Sequence, residues 1–240
     1  MATAFLPSEN PTISPILARR LAVIASSTLF TCLSPSELMR VTLHARSRIF
    51  DRNEYLFRQG EPASQLLLID YGSVKLSQIG AHGNEAILSL SGTRDTLGVS
   101  VLLARNNYAS SARVAAKCRA LLWDRDFFAT LLASSPQVRE NRDSIMLQRI
   151  QDFGDRFITS ENVEQRVALV LLRVLRHMGR NCIPGIEVAL SREELAQLAG
   201  TSLLTVTHLV SKWCEEGLVL PKRDAVKVLD PQGLSAACHA

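Results

Sequence analysis

The chain has 240 residues, 47% of them hydrophobic, and a formal net charge of +4. That is enough apolar material to bury a core and, at this length, to divide between two modest domains, which excludes a disordered scaffold. The mild positive charge permits nucleic-acid binding without requiring it, and apolar runs such as Val167 to Leu172 fall far short of the roughly 20 residues that cross a bilayer.

The first residues, "MATAFLPSENPTISP", lack the basic start and continuous apolar stretch of a secretion signal, so a cytoplasmic location is expected. Ile16 to Ala25 has apolar residues at helical spacing. Ser34, Pro35 and Glu37 match a capping box that opens a second short helix. From Ser47 to Asp124 the texture changes to short runs, "EYLF", "QLLLID", "SVKLSQI", "EAILSLS", "SARVAA" and "RALLWD". Turn signals at Gly60-Glu61-Pro62, Asp70-Tyr71-Gly72, Gly80 to Asn84 and Ser91-Gly92 separate the first of these, which predicts an antiparallel sandwich or jelly-roll barrel.

"DRDFFATLLASSP" predicts a short helix, and Ser135-Pro136 starts a longer one reaching about Thr159. Met146, Ile150, Phe153 and Phe157 follow one another there at spacings of four, three and four, a heptad-like seam that suits a homodimer interface. "ENVEQRVALVLLRVLRHMGR" then predicts a helix with Val163, Val167, Val170, Leu171 and Val174 inward. Arg166, Arg173, Arg176 and Arg180 share another face, readable either as solvated or as phosphate-contacting.

After "NCIPG", Ile186 to Leu190 alternates as a strand, and Ser191 with Glu194 forms a second capping box for "REELAQLA". Gly200 breaks that helix. Thr201 and Ser202 are competent caps for the next one, which turns Val206, Leu209, Val210 and Trp213 to a core and ends at Gly217. "LVL", the turn "PKRD" and "AVKVL" complete a hairpin, so the C-terminal part predicts a winged helix-turn-helix. Residues 161–240 hold nine Lys or Arg and nine Asp or Glu, so any affinity for DNA must come from local placement of charge. The five cysteines contain no C-x-x-C pair and read as reduced thiols. His44, His82, His177, His208 and His239 show no paired spacing, so no metal, haem or other cofactor and no enzymatic activity is expected.

Barrel, long helix and winged helix-turn-helix, in that order, resemble the CRP/FNR family of bacterial transcription regulators. The resemblance is carried by "YLFRQGEPASQLLLIDYGSVKLS" at 55–77, "HGNEAILSL" at 82–90, "SREELAQLAGTS" at 191–202 and "VSKWCEEGLV" at 210–219. It implies an α+β protein: an N-terminal antiparallel β jelly-roll of the cyclic-nucleotide-binding type, a long dimerisation helix and a C-terminal winged helix-turn-helix. The expected division is a tail at 1–15, an effector-sensing barrel with flanking helices at 16–134, the dimerisation helix at 135–160 and the DNA-binding domain at 161–240. Implied partners are double-stranded DNA bearing an inverted repeat, a second copy of the chain and RNA polymerase, with no membrane.

Two departures from the family pattern stand out. Cyclic-nucleotide-binding members follow the barrel glycine with a glutamate for the ribose and, further on, an arginine for the cyclic phosphate. This sequence has "GVSVLLARNNYASSARV" at 98–114, with Val99 after Gly98 and Ala109 or Ser110 at the arginine position. A phosphate taken into a pocket needs charged or multiple hydrogen-bonding partners to offset its desolvation. Gly98, Val99, Ser100, Ser110 and Ser111 are therefore candidates for an effector pocket that takes something other than cyclic AMP, or nothing. Second, the base-reading arginine and glutamate fall on Leu203 and Leu204, and a later arginine on His208. Leucine can pack on a thymine methyl, while Thr205, Thr207 and His208 retain hydrogen-bonding groups for base edges. Thr201, Ser202, Lys212, Lys222 and Arg223 are candidate phosphate contacts. The alternative is a protein-interaction module in which the two leucines form an apolar patch and sequence-specific DNA reading is weak or lost.

Overall fold

The computed structural model describes residues 14–80, 85–99, 107–158 and 162–236, with 153–158 and 177 described by their backbone. Helices α1 (Pro15–Ala25) and α2 (Pro35–His44) flank a 3-10 turn at Thr28–Phe30. The expected capping box is formed: the Ser34 hydroxyl accepts from the Glu37 backbone N–H, and the Glu37 carboxylate accepts from that of Ser34.

The strands β1 (Arg46–Phe50), β2 (Tyr55–Phe57), β3 (Gln65–Ile79), β4 (Glu85–Ser91), β5 (Thr96–Leu97) and β6 (Ser111–Asp124) make one antiparallel sheet. Its path runs β1-β6-β3-β4, with β2 on β6 and β5 on β3, so among the described residues the jelly-roll is open. The sequence predicted a turn at Asp70-Tyr71-Gly72. Instead, β3 runs through it as one strand of 15 residues, and its register against β6 shifts on both sides of Tyr71. A bulge needs the same permissive backbone as a turn. Gly72 has φ 98°, and a Cβ there would lie 2.4 Å from the Lys117 carbonyl oxygen. "SARVAA" and "RALLWD" likewise fuse into β6.

Two apolar clusters fill this half. One packs Trp123, Phe30 and Phe128 against Ile24, Leu66 and Val99, and the Trp123 indole N–H donates to the Val41 carbonyl at 2.8 Å. The other holds Phe50, Leu67, Val114 and Cys118, with Phe57 stacked on Tyr108 at 3.9 Å. Burial pushes the Cys118 thiol up to about 12, so it is protonated and inert, whereas Cys32 is exposed.

Helix α3 (Arg125–Ser134) leads into α4 (Pro136–Ile158), whose 23 residues span about 34 Å. The C-terminal half then comprises α5 (Val163–Met178), β7 (Arg180–Asn181), β8 (Ile186–Val188), α6 (Arg192–Ala199), α7 (Leu203–Glu215), β9 (Val219–Pro221), β10 (Val226–Val228) and α8 (Pro231–Ala236). Strands β7, β8, β10 and β9 pair antiparallel in that order. Its core gathers Val167, Leu171, Leu195, Val206, Val210 and Trp213. Ile87 and Leu90 of β4 pack half-buried on the same core. No helix among the described residues is long and apolar enough to cross a membrane.

Candidate nucleic-acid interface

The helix-turn-helix is built by local chemistry. Ser191 and Glu194 close a capping box on α6, and Gly200 ends that helix in the left-handed conformation at φ 60°, ψ 44°. Ser202 then caps α7, its hydroxyl accepting from the Thr205 N–H at 3.1 Å and sharing a 2.8 Å hydrogen bond with the Thr205 hydroxyl. Ser202 and Thr205, expected to meet phosphate and base, are thus first of all each other's partners. Thr201 is half-buried in the turn.

Burial of Val206, Leu209, Val210 and Trp213 fixes which side of α7 faces out. On the outward side Leu203 is 50% and Leu204 81% exposed, followed by half-buried Thr207 and exposed His208 and Ser211. The first turn contains no acidic residue, so its free backbone N–H groups present an uncompensated positive end to an anion.

The cations are placed unevenly. Lys212, a candidate phosphate contact, donates from its ammonium to both Glu164 carboxylate oxygens, at 2.8 and 3.0 Å. That hydrogen bond raises its pKa. The same carboxylate accepts the Trp213 indole N–H at 2.9 Å, tying α5 to α7. Lys222, at the wing turn, pairs with Glu187 of β8. Arg223 is exposed beside it and carries no ion pair among the described residues. Wing and α6 border a shallow polar groove of mixed charge, lined by Arg192, Lys222 and Arg223 together with Glu193 and Asp224. Of the arginine stripe on α5, Arg166 donates to the Ala199 carbonyl at 2.7 Å and Arg173 pairs with Asp152 at 3.5 Å. Those two already have partners within the protein.

Glu164 was missed by sequence reasoning, because an acidic residue in a first helical turn is already explained by the helix dipole. Nothing local connects it to Trp213, 49 residues later.

In the barrel, Val99 is fully buried in the Trp123 cluster, and Gly98 adopts φ 78° to turn the chain before it. The Ser111 hydroxyl is buried and accepts from the Gln59 N–H at 3.0 Å, while Ser110 is half-buried in the bend just before β6. Ser100 lies outside the described residues, as does His82. On α4, Met146 is half-buried against the barrel core instead of facing a free seam, whereas Ile150 is 64% and Leu147 61% exposed. The side chains of Phe153 and Phe157 lie outside the described atoms.

Comparison with known proteins places both halves. Residues 47–135 match the cyclic nucleotide-binding domain, and residues 165–237 match the Crp-like helix-turn-helix domain. A CRP-like cAMP-activated global transcriptional regulator of Mycobacterium tuberculosis is 26% identical over 219 residues, covering 89% of this chain and 97% of the relative. The cyclic AMP receptor protein of Thermus thermophilus is 29% identical over 195 residues, covering 80% and 88%. Among solved structures, FixK2 of Bradyrhizobium japonicum shares the fold with a TM-score of 0.68 at 18% identity, covering 82% of this chain and 98% of that one.

Proposed function

The chain belongs to the CRP/FNR family of DNA-binding transcription regulators, and from that premise we propose that it works as a homodimer whose two α7 helices read an inverted repeat, under a barrel that responds to an effector other than cyclic AMP or to none. The observation that carries the DNA reading is the outward face of α7, held by its caps and by Trp213, with Leu204 and His208 exposed on it. A dimer would set two such helices about 34–36 Å apart in successive major grooves. The exposed Leu147 and Ile150 on α4 support that pairing, since apolar side chains so exposed on a long helix gain by burial against a second copy. Residues 135–160 are the dimerisation helix in this reading, and RNA polymerase is a further partner within it.

Val99 and Ser111 support the reading that the effector is not cyclic AMP. Their places are taken by core packing and by a backbone hydrogen bond, and neither offers a charge to a cyclic phosphate. Calorimetric titration with cyclic AMP is expected to give no saturable heat at millimolar nucleotide; saturable binding would refute this part.

The DNA reading is tested by selecting bound sequences from a random duplex pool at low and moderate salt, with light scattering to establish the mass of the free protein. An enriched inverted repeat and a dimer mass are expected. Because Lys212 and Lys222 are already paired and Arg223 has no ion pair among the described residues, Arg223→Ala should flatten the dependence of log affinity on log salt by about one unit for each phosphate left without its cation. Lys212→Ala should change the slope less. Equal slopes for all three proteins would remove the wing from the interface. Apolar docking of a protein on Leu203 and Leu204, the competing reading, would show little salt dependence.

A further inference from the structure

The outward face of α7 is chemically unusual for a base-reading surface. From Leu203 to Ser211 it contains no Arg, Lys, Asn, Gln, Asp or Glu. Those six types supply the bidentate contacts to guanine and adenine and the acceptors for cytosine N4. What the face does present is apolar at its leading end, with Leu203 and Leu204 exposed in the first turn, and singly hydrogen-bonding behind it, with Thr207, His208 and Ser211. In a helix-turn-helix the N-terminal residues of the second helix are the ones that reach base edges. Only one major-groove feature matches an apolar side chain there, the 5-methyl group of thymine.

We propose that this protein selects its half-site through thymine methyl groups, with Leu204, flanked by Leu203, packing on them, and that no guanine contact from the leading part of α7, Leu203 to Ser211, fixes the register. The inference rests on the DNA reading above. DNA is favoured over a protein partner as the occupant of the leucine patch because its surroundings suit a polyanion. The first turn of α7 carries no acidic side chain, and at the wing, where Arg192, Lys222 and Arg223 line one groove with Glu193 and Asp224, Arg223 has no ion pair among the described residues. Thr207 and His208 then add single hydrogen bonds, which bias a position without fixing it.

The test replaces thymine by deoxyuridine, one position at a time, in the duplex recovered by selection. Uracil keeps every hydrogen-bonding group of thymine and removes only the methyl, so the readout isolates the apolar contact. Removing one buried methyl corresponds to about a fourfold weaker Kd. The full-length protein should show that loss at one or two positions in each half-site. Leu204→Ala should bind the parent duplex more weakly and become insensitive to uracil at the same positions. Leu204 is 81% exposed, so the variant should keep its circular dichroism and melting temperature. Selection of a duplex in which every uracil is tolerated, or equal uracil penalties in the wild type and the Leu203→Ala and Leu204→Ala variants, would overturn the methyl readout while leaving DNA binding intact. Recovery of no enriched sequence at either salt concentration would instead sink the DNA reading itself, and the methyl readout with it.

Discussion

Trp213→Ala is expected to melt the DNA-binding half at a temperature where the barrel is still folded. Trp213 is fully buried among Val167, Leu171, Val206 and Val210, and its indole N–H satisfies one oxygen of Glu164. Truncating a buried tryptophan costs about 3–5 kcal/mol in lost transfer energy and residual cavity. A small domain has roughly 5–15 kcal/mol in total, and each kcal/mol moves its melting point by about 4–8 °C, so a drop of about 12 °C or more follows. The two tryptophans make the experiment clean. Trp123 sits in the barrel cluster, so fluorescence of the variant reports the barrel, while circular dichroism reports both halves. Two separated transitions are expected, the lower one belonging to the C-terminal half; a single transition near the wild-type temperature would contradict the packing described.

Glu164 adds a pH signature to the same node. Burial pushes its carboxyl upward, but hydrogen bonds from Lys212 and Trp213 outweigh that and hold its pKa below the ordinary value. A carboxylate depressed in the folded state contributes stability that is complete above its unfolded pKa of about 4.3 and is lost as the pH falls through the lower folded value. Acid should therefore weaken the Trp213 half across that window, and Glu164→Gln should remove that component of the loss.

Local chemistry was legible in the sequence, and partnerships across the chain were not. Ser34, Ser191 and Gly200 are legible because a cap and its target lie within three residues and leave few alternatives, while for α7 the sequence leaves Thr201 and Ser202 open and the structure selects Ser202. Asp70-Tyr71-Gly72 misleads for a physical reason: glycine permits a turn and a bulge equally, and what decides between them is the pairing of β3 with β6 on both sides of Tyr71, a long-range partner. The partner of Lys212 is not legible in the sequence because its acceptor lies 48 residues away on another helix. Met146 fitted a heptad seam by spacing alone, yet the barrel core beside α4 draws it inward and leaves Leu147, outside that seam, exposed next to Ile150.

The most consequential of these distant partnerships joins the two halves. Lys75 on β3 forms an ion pair with Glu194 on α6, and the side chains are only 17% and 18% exposed. The other Glu194 oxygen accepts the Ser191 N–H at 2.8 Å in the capping box. Ile87 and Leu90 of β4 press on the core alongside. The β3–β4 hairpin therefore grips the first helix of the helix-turn-helix by charge and by apolar contact together. Removing one partner of a fully buried pair costs about 3–5 kcal/mol, because the other is left desolvated and alone. With nearly a fifth of each side chain in water, about 1–3 kcal/mol is the expected loss for Lys75→Met, which keeps the stem and deletes the charge. Glu194→Gln preserves an acceptor for Ser191 and should cost a similar amount. The double variant leaves no stranded charge, so its loss should fall short of the two single losses added together by at least about 1 kcal/mol. X-ray scattering should show Lys75→Met with a larger radius of gyration, as the C-terminal half comes off the hairpin. Because the tight turn at Gly200 couples α6 to α7, the same release would change where α7 points, without any ligand touching the wing. Additive losses and an unchanged radius would mean that the hairpin merely rests on α6, and control of α7 would then have to pass through α4 and α5.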